Sequence, residues 1–190
     1  MKTLQQKYDE LCATRSDINE HLPKLKEYAE KCDHITEMGV RGVVSTYAFL
    51  MGKPSKLIGY DIGEYKQNVD ECKMIANSEA LNWEFILADV LKVEIAETDF
   101  LFIDTFHTAE QLKRELKLHA GKVKKYIGFH DTTTFWEKGE PSYESVSDKG
   151  TNCGMGLKYA LEPFLAYNPE WKVVYRTEKN NGLTIIERIK

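Results

Sequence analysis

His34-Ile35-Thr36-Glu37-Met38-Gly39-Val40-Arg41-Gly42-Val43-Val44-Ser45-Thr46 is the stretch from which the rest of the chain is read. It has the order of a short buried strand, a glycine turn and the start of a helix, with an acid, Glu37, as the last strand residue, two positions before Gly39. Gly39 and Gly42 lack a Cβ and are free to take positive φ, which lets backbone come close to a bound group. The helix that follows offers unpaired N–H groups at its start. The dinucleotide fingerprint, Gly-x-Gly-x-x-Gly with no acid before it, is not met by Glu37-x-Gly39-x-x-Gly42. An acid at the strand tip repels a pyrophosphate but accepts hydrogen bonds from an ammonium or hydroxyl group, so the expected ligand carries positive charge near this loop. Strand, glycine turn and helix is also the ordinary joint of an α/β domain, and support has to come from the flanking chain.

Upstream, residues 3 to 13 carry Leu4, Tyr8 and Leu11 at helical intervals. Ser16 and Asp17 offer N-caps to a second helix with Leu22, Leu25, Tyr28 and Ala29 on one face, and Pro23 is tolerated there in the first turn. Downstream, a helix from Ser45 to Met51 ends at Gly52 and Pro54, and Lys56 to Tyr60 is a strand followed by Asp61. One strand-turn-helix-turn-strand unit thus separates Glu37 from Asp61, the spacing at which an acid on the second strand of a nucleotide-binding α/β fold meets ribose hydroxyls. The next units are a helix over residues 64–77 and a strand from Trp83 to Leu87 followed by Ala88-Asp89-Val90. Asp89 could accept from an adenine amino group, with Val90 as an apolar wall. Residues 99–103, Asp-Phe-Leu-Phe-Ile, are apolar enough for a central parallel strand and lead directly to Asp104. Thr108 caps a helix over residues 109–120, and a fifth strand, residues 125–129, runs into His130-Asp131-Thr132. Residues 133–153 show no periodicity. Their length, together with Phe135, Trp136 and Tyr143, suggests a lid rather than disorder. A helix over residues 157–167 containing Pro163, and two alternating strands joined around Lys179-Asn180-Asn181-Gly182, complete the chain.

The chain has 190 residues, 42% hydrophobic and 29% charged, which suits one domain burying roughly 70% of its unfolded surface. The net charge of −4 argues against a general nucleic-acid binder. No apolar run approaches a signal core or a membrane span, so a soluble cytoplasmic protein acting on a small molecule is expected, without nucleic-acid or membrane partners. A homo-oligomer is compatible with the sequence. Cys12, Cys32, Cys72 and Cys153 form no C-x-x-C pair, so neither a zinc site nor a redox motif is indicated. The basic run Lys113, Arg114, Lys117, Lys122, Lys124 and Lys125 reads as a solvated helix face or, alternatively, as an attraction site for an anionic or nucleic-acid substrate.

The order Glu37-x-Gly39, Asp61, Asp89, Asp104 and His130-Asp131, closing in a Trp-Lys-Val-Val-Tyr and Gly-Leu-Thr-Ile-Ile-Glu hairpin, resembles the class I S-adenosylmethionine-dependent methyltransferases. Within them it looks most like the branch of small-molecule O-methyltransferases and cephalosporin hydroxylase-like proteins. The resemblance implies a Rossmann-like α/β fold, a seven-stranded mixed sheet of order 3-2-1-4-5-7-6 with a C-terminal antiparallel hairpin and helices on both faces. It also implies one domain over residues 1–190, with residues 1–33 as a helical cap and 132–153 as a lid. Glu37, Gly39, Gly42, Ser45, Asp61, Ile62, Asp89, Val90 and Asp104 are the implied contacts of S-adenosylmethionine. The chain departs from the family's loop, which is glycine-rich at alternate positions, because Arg41 and Val43 stand at two of those places.

In a sheet of that order the fourth and fifth strands are neighbours and ligands bind beyond their carboxyl ends. Asp104 and Asp131 are then adjacent, with His130 and His107 nearby. Asp104, His130 and Asp131 form a candidate set for Mg²⁺ or another divalent metal, and His107, His130 and Asp131 form the candidate catalytic set, with an imidazole as base. The expected activity is metal-assisted O-methylation of a small hydroxylated substrate such as a sugar. The rivals are a non-catalytic S-adenosylmethionine- or nucleotide-binding protein of the same fold, and a nicotinamide enzyme. Each residue also has a structural reading: Asp104 as a helix cap, His130 as a core histidine and Asp131 as an Asx-turn residue.

Overall fold

The computed structural model describes residues 2–141 and 149–189. The elements run α1 (Leu4–Ala13), α2 (Leu22–Ala29), β1 (His34–Met38), α3 (Val44–Met51), β2 (Lys56–Asp61), α4 (Lys66–Ser78), β3 (Trp83–Leu87), β4 (Thr98–Ile103), α5 (Ala109–His119), β5 (Val123–His130), α6 (Lys158–Tyr167), β6 (Trp171–Thr177) and β7 (Leu183–Arg188). The sheet order is β3-β2-β1-β4-β5-β7-β6. Strands β1 to β5 pair in parallel, while β7 is antiparallel to both β5 and β6.

Alternation along β4 explains how the sheet holds two layers of helices apart. Phe100 and Phe102 join a buried cluster with residues of α1 to α4, whereas Leu101 and Ile103 join the opposite cluster with α5 and α6. Gly128 on β5 leaves room for the two phenylalanines, since a Cβ there would stand 3.0 Å from each ring. The N-terminal helices belong to the first cluster: Leu4 and Tyr8 of α1 and Leu22 and Leu25 of α2 are buried in it. Tyr28 of α2 sits edge-on to Tyr126, with ring centroids 5.0 Å apart.

Several boundaries differ from the sequence expectation for local reasons. Glu37 is not the last residue of its strand, because β1 continues through Met38, whose register partner on β4 is Ile103. Ser16 and Asp17 do not cap α2. The Ser16 hydroxyl accepts from Asn19 N at 3.0 Å, a short 3-10 turn over Asn19–His21 intervenes, and α2 starts at Leu22 with Pro23 in its first turn. α4 starts at Lys66, and β5 extends through His130. Asn180, Asn181 and Gly182 all take positive φ in the last turn, as the hairpin signal requires. Within the expected lid, Tyr143 lies outside the described residues. The neighbouring segments are tied down: Phe135 N donates to Asp131 O (3.0 Å), Gly139 N to Gly154 O (3.1 Å) and Leu157 N to Phe135 O (2.8 Å). No described helix is long and apolar enough to cross a membrane.

Candidate active site

Three strand tips meet at Gly39. Its N–H donates to Tyr60 O at 2.9 Å, and Asp104 N donates to Met38 O at 2.8 Å. Gly39 has φ +87, and a Cβ there would fall 1.8 Å from the Asp104 carbonyl oxygen, so only glycine fits where β1 passes β4. Gly42 behaves differently from the expectation. It does not have positive φ, and a Cβ on it would meet only Val44 Cγ2, at 3.9 Å. The left-handed positions are instead Arg41 (φ 42) and Val43 (φ 64). Positions 39, 41 and 43 therefore all have positive φ, the backbone course of a loop with alternating glycines, although two of the side chains are bulky. A β-branched residue at positive φ is strained, by roughly 1–3 kcal/mol.

The loop is held by acids. Asp61 Oδ2 accepts from Arg41 N at 2.7 Å and Oδ1 from Gly63 N at 2.9 Å, joining the loop to the turn after β2. Glu37 is fully buried, and its two oxygens accept from Ser45 Oγ (2.5 Å) and Thr46 Oγ1 (2.6 Å) in the first turn of α3. Burial pushes its carboxyl up to about 8 in spite of these two donors, with Asp104 and Asp61 adding repulsion. Both oxygens of Glu37, and the hydroxyl of Ser45, are thus engaged with each other inside the protein. The expectation that Glu37 presents its charge at the strand tip gives way to a loop-to-helix brace.

On the far side of the sheet, Asp89 Oδ1 accepts from Leu91 N (2.9 Å) and its Oδ2 lies 3.1 Å from Lys92 Nζ. Val90 is a core residue rather than an exposed wall, and its carbonyl bonds the His119 ring at 2.8 Å. The exposed apolar surface here comes from Ile62 after β2 and from Leu87 on β3, the register partner of Asp61. Leu87 was not singled out from the sequence, where alternation assigns it no role.

Beyond the ends of β4 and β5 the chain brings Asp104, His107, His130 and Asp131 together. His107 Nε2 is 3.1 Å from Asp104 Oδ1 and 3.2 Å from Asp131 Oδ2. His130 Nδ1 faces the same two oxygens at 3.3 and 3.4 Å. The other nitrogen of each ring is already used: His107 Nδ1 lies 2.9 Å from Glu140 Oε2, and His130 Nε2 lies 3.0 Å from the Asp17 carbonyl oxygen. A carbonyl or carboxylate at those positions requires an N–H, so in the neutral rings the lone pairs of His107 Nε2 and His130 Nδ1 point at two carboxylates. Four lone-pair donors converging in this way need a cation or protons between them. Without a metal, protons fill that place. Burial opposes charge on both rings, yet Asp104 and Glu140 raise His107 to about 9, and Asp104 and Asp131 raise His130 to about 11. Burial likewise opposes the Asp104 carboxylate, but His130 and His107 hold its carboxyl well below the usual range. Asp131 adopts φ 58, a sparsely populated conformation that aims its carboxylate into the cluster, and Phe135 stacks on His107 with centroids 4.9 Å apart.

The residues fit a divalent ion. Ligand atoms of Asp104, His107 and Asp131 all lie within 4.8 Å of one another, and the buried His130 Nδ1 and Asp131 Oδ1 have no hydrogen-bond partner among the described residues. Each histidine is oriented through its second nitrogen, as metal-bound imidazoles are. The sequence-based set of Asp104, His130 and Asp131 is gathered in one place, and His107 joins it as a fourth donor. Glu140 and the Asp17 carbonyl escaped the sequence reading, because both lie in irregular segments where no periodic signal assigns a role.

No family model matches the chain, and no curated protein matches it in sequence. Solved structures match it in fold. The S-adenosylhomocysteine-bound methyltransferase PaMTH1 from Podospora anserina superposes with a TM-score of 0.62 at 15% identity, over 98% of this chain and 88% of that one. An O-methyltransferase from Bacillus cereus, also in complex with S-adenosylhomocysteine, gives 0.62 at 15% identity over 98% and 90%. The fold is that of the class I S-adenosylmethionine-dependent methyltransferases. The N-methyltransferase NodS from Bradyrhizobium japonicum shares it too, at TM-score 0.59 and 10% identity over 92% and 97%. A methyltransferase fold at such identities leaves the acceptor atom to be argued from the site.

Proposed function

We propose that the protein transfers a methyl group from S-adenosylmethionine to a hydroxyl of a small molecule, assisted by a divalent ion. The observation that carries this reading is the convergence of two carboxylates and two imidazoles at the tips of β4 and β5, directly beside the loop with positive φ at residues 39, 41 and 43. Bound in that crevice, the methyl donor would supply an electrophilic methyl group. The loop would hold its methionine end, Asp61 its ribose through the lone pairs its two backbone donors leave open, and Ile62 and Leu87 an apolar surface for its base. A divalent ion held by Asp104, His107, His130 and Asp131 would supply positive charge that favours an ionised acceptor oxygen.

In this reading the chain's own groups divide the labour. Glu140 and the Asp17 carbonyl keep the two imidazoles in one tautomer and orientation. With both nitrogens of each ring engaged, the group left to receive the acceptor proton is Asp131 Oδ1, buried and without a hydrogen-bond partner among the described residues. Phe135, stacked on His107, is an aromatic surface against which a ring or a sugar face can lie, while the Trp136 ring already carries Arg176 on its face, 4.2 Å from its centroid. Hydroxyl oxygen is favoured over nitrogen as the acceptor because the charge of such an ion would favour ionisation of a hydroxyl, whereas a neutral amine attacks without that help.

The test is transfer of labelled methyl groups to a panel of catechols, sugars and amines, with and without added divalent ions. Transfer to a hydroxyl that Asp131→Ala abolishes while S-adenosylhomocysteine still binds supports the reading. Binding of the cofactor with no transfer to any acceptor would favour a non-catalytic binding protein of the same fold.

A further inference from the structure

The basic run on and after α5 divides into two groups. Arg114 pairs with Glu110 at 3.2 Å, Lys122 with Glu94 at 2.9 Å, Lys124 with Glu97 at 2.9 Å and Lys125 with Asp99 at 3.5 Å. Lys113 and Lys117, one helical turn apart, form no ion pair with any described residue. These two line an open groove of about 530 Å³ between the second half of α5, the second half of α6 and the start of β6. Apolar side chains form its floor: Leu116, Ala160 and Trp171 are buried beneath it, and Phe164 is partly buried against the same cluster. Small residues keep it open, and a Cβ on Gly121 would meet nothing within 4 Å. Arg188 adds a third cation, fixed over the Trp171 ring at 5.2 Å from its centroid and by a 2.9 Å hydrogen bond to Val123 O. Glu170 is the one acid among the described lining residues.

The groove is separate from the site at the strand tips. α5 starts beside that site at Thr108 and carries the groove further along, from Lys113, about 7.5 Å away at 1.5 Å per residue, to Ala120, about 18 Å away. A volume of this size holds a small organic molecule. Its apolar floor and its three cations against one acid are complementary to a ligand that is apolar along its body and anionic at one end. We propose that this groove is a second ligand site, for an amphipathic organic anion: a ring or short acyl chain bearing one oxyanion head. The body lies on Leu116, Phe164 and Trp171, and the head meets Lys113 and Lys117.

The test is calorimetric titration of the full chain with octanoate, and with octanol as a neutral counterpart of similar apolar length. Octanoate should bind at least about tenfold more tightly than octanol. Lys113→Glu combined with Lys117→Glu should weaken it about tenfold or more, since two exposed charge contacts are removed and reversed. Gly121→Phe, which fills open space without backbone strain, should block it. All three proteins should keep the same circular dichroism and the same affinity for S-adenosylhomocysteine. Equal binding of octanol, full competition by inorganic phosphate alone, or no response to these variants would overturn the proposal. So would sedimentation showing a dimer that Gly121→Phe dissociates, because the groove would then be covered by a second copy of the chain.

Discussion

Glu140 Oε2 lies 2.9 Å from His107 Nδ1 and 3.2 Å from the His107 backbone nitrogen, so a residue 33 positions away sets both the ring and the backbone of His107. The contact decides which nitrogen of His107 faces Asp104 and Asp131. Removing a partner of this kind typically costs a metal site 10–100-fold in affinity. Glu140→Ala is therefore expected to weaken divalent-ion binding by about that factor while the fold persists. Titration with Mn²⁺, followed by calorimetry, checks it, and an unchanged affinity would detach Glu140 from the site.

Two imidazoles with two carboxylates form a softer donor set than the oxygen cages that suit Mg²⁺. Chelation followed by metal add-back should restore methyl transfer better with Mn²⁺, Co²⁺ or Zn²⁺ than with Mg²⁺. Replacing both rings, His107→Asn with His130→Asn, should shift the preference toward Mg²⁺. Full activity in the presence of excess chelator would remove the ion from the mechanism.

Gly39 and Gly42 look alike in the sequence but predict opposite outcomes. At Gly39 a Cβ meets the Asp104 carbonyl at 1.8 Å with φ at +87, so Gly39→Ala should cost about 3 kcal/mol or more and loosen the β1 and β4 tips. At Gly42 there is space and no positive φ, so Gly42→Ala should be neutral or stabilise by up to about 1 kcal/mol. Denaturant unfolding of the two variants separates them. Equal costs would refute the account of the loop.

Glu37 links stability to pH. Its carboxyl is raised from 4.5 to about 8 in the folded state, so the folded protein holds a proton that the unfolded chain releases above pH 4.5. The associated stability is fully present below that pH and is lost as pH rises to and through about 8, by a few kcal/mol at roughly 1.4 kcal/mol per pH unit. Glu37→Gln carries no such proton, and Ser45 and Thr46 can rotate their hydroxyls to suit an amide. Its melting temperature should fall less between pH 6 and 9 than that of the unchanged protein. Parallel pH profiles for the two would show that Glu37 is ionised in the fold.

The site was legible in the sequence to the extent that it follows from chain direction. Asp104 and Asp131 stand where apolar parallel strands end, and the order of the strands makes those ends neighbours, so their meeting beyond β4 and β5 needs no side-chain detail. The role of Glu37 was not legible, because whether an acid at the end of a strand points outward or into the next helix depends on one strand residue more or less. Here β1 continues through Met38, and Ser45 and Thr46 claim both oxygens of Glu37.

What the sequence by itself determined is the α/β framework: alternating apolar strands and amphipathic helices, the hairpin at Asn180, Asn181 and Gly182, and the acids at successive strand ends. These depend on periodicity and on turn chemistry, which are local. Only the tertiary structure decided that Arg41 and Val43 take the positive φ that Gly42 does not need, and that His107, expected beside the two carboxylates as a base, turns Nε2 onto both of them as a further metal donor. It also decided that Glu140 and the Asp17 carbonyl orient the rings. Those outcomes depend on distances between segments far apart in the chain. Such distances are set by packing against the shared core, and no spacing along the sequence encodes them.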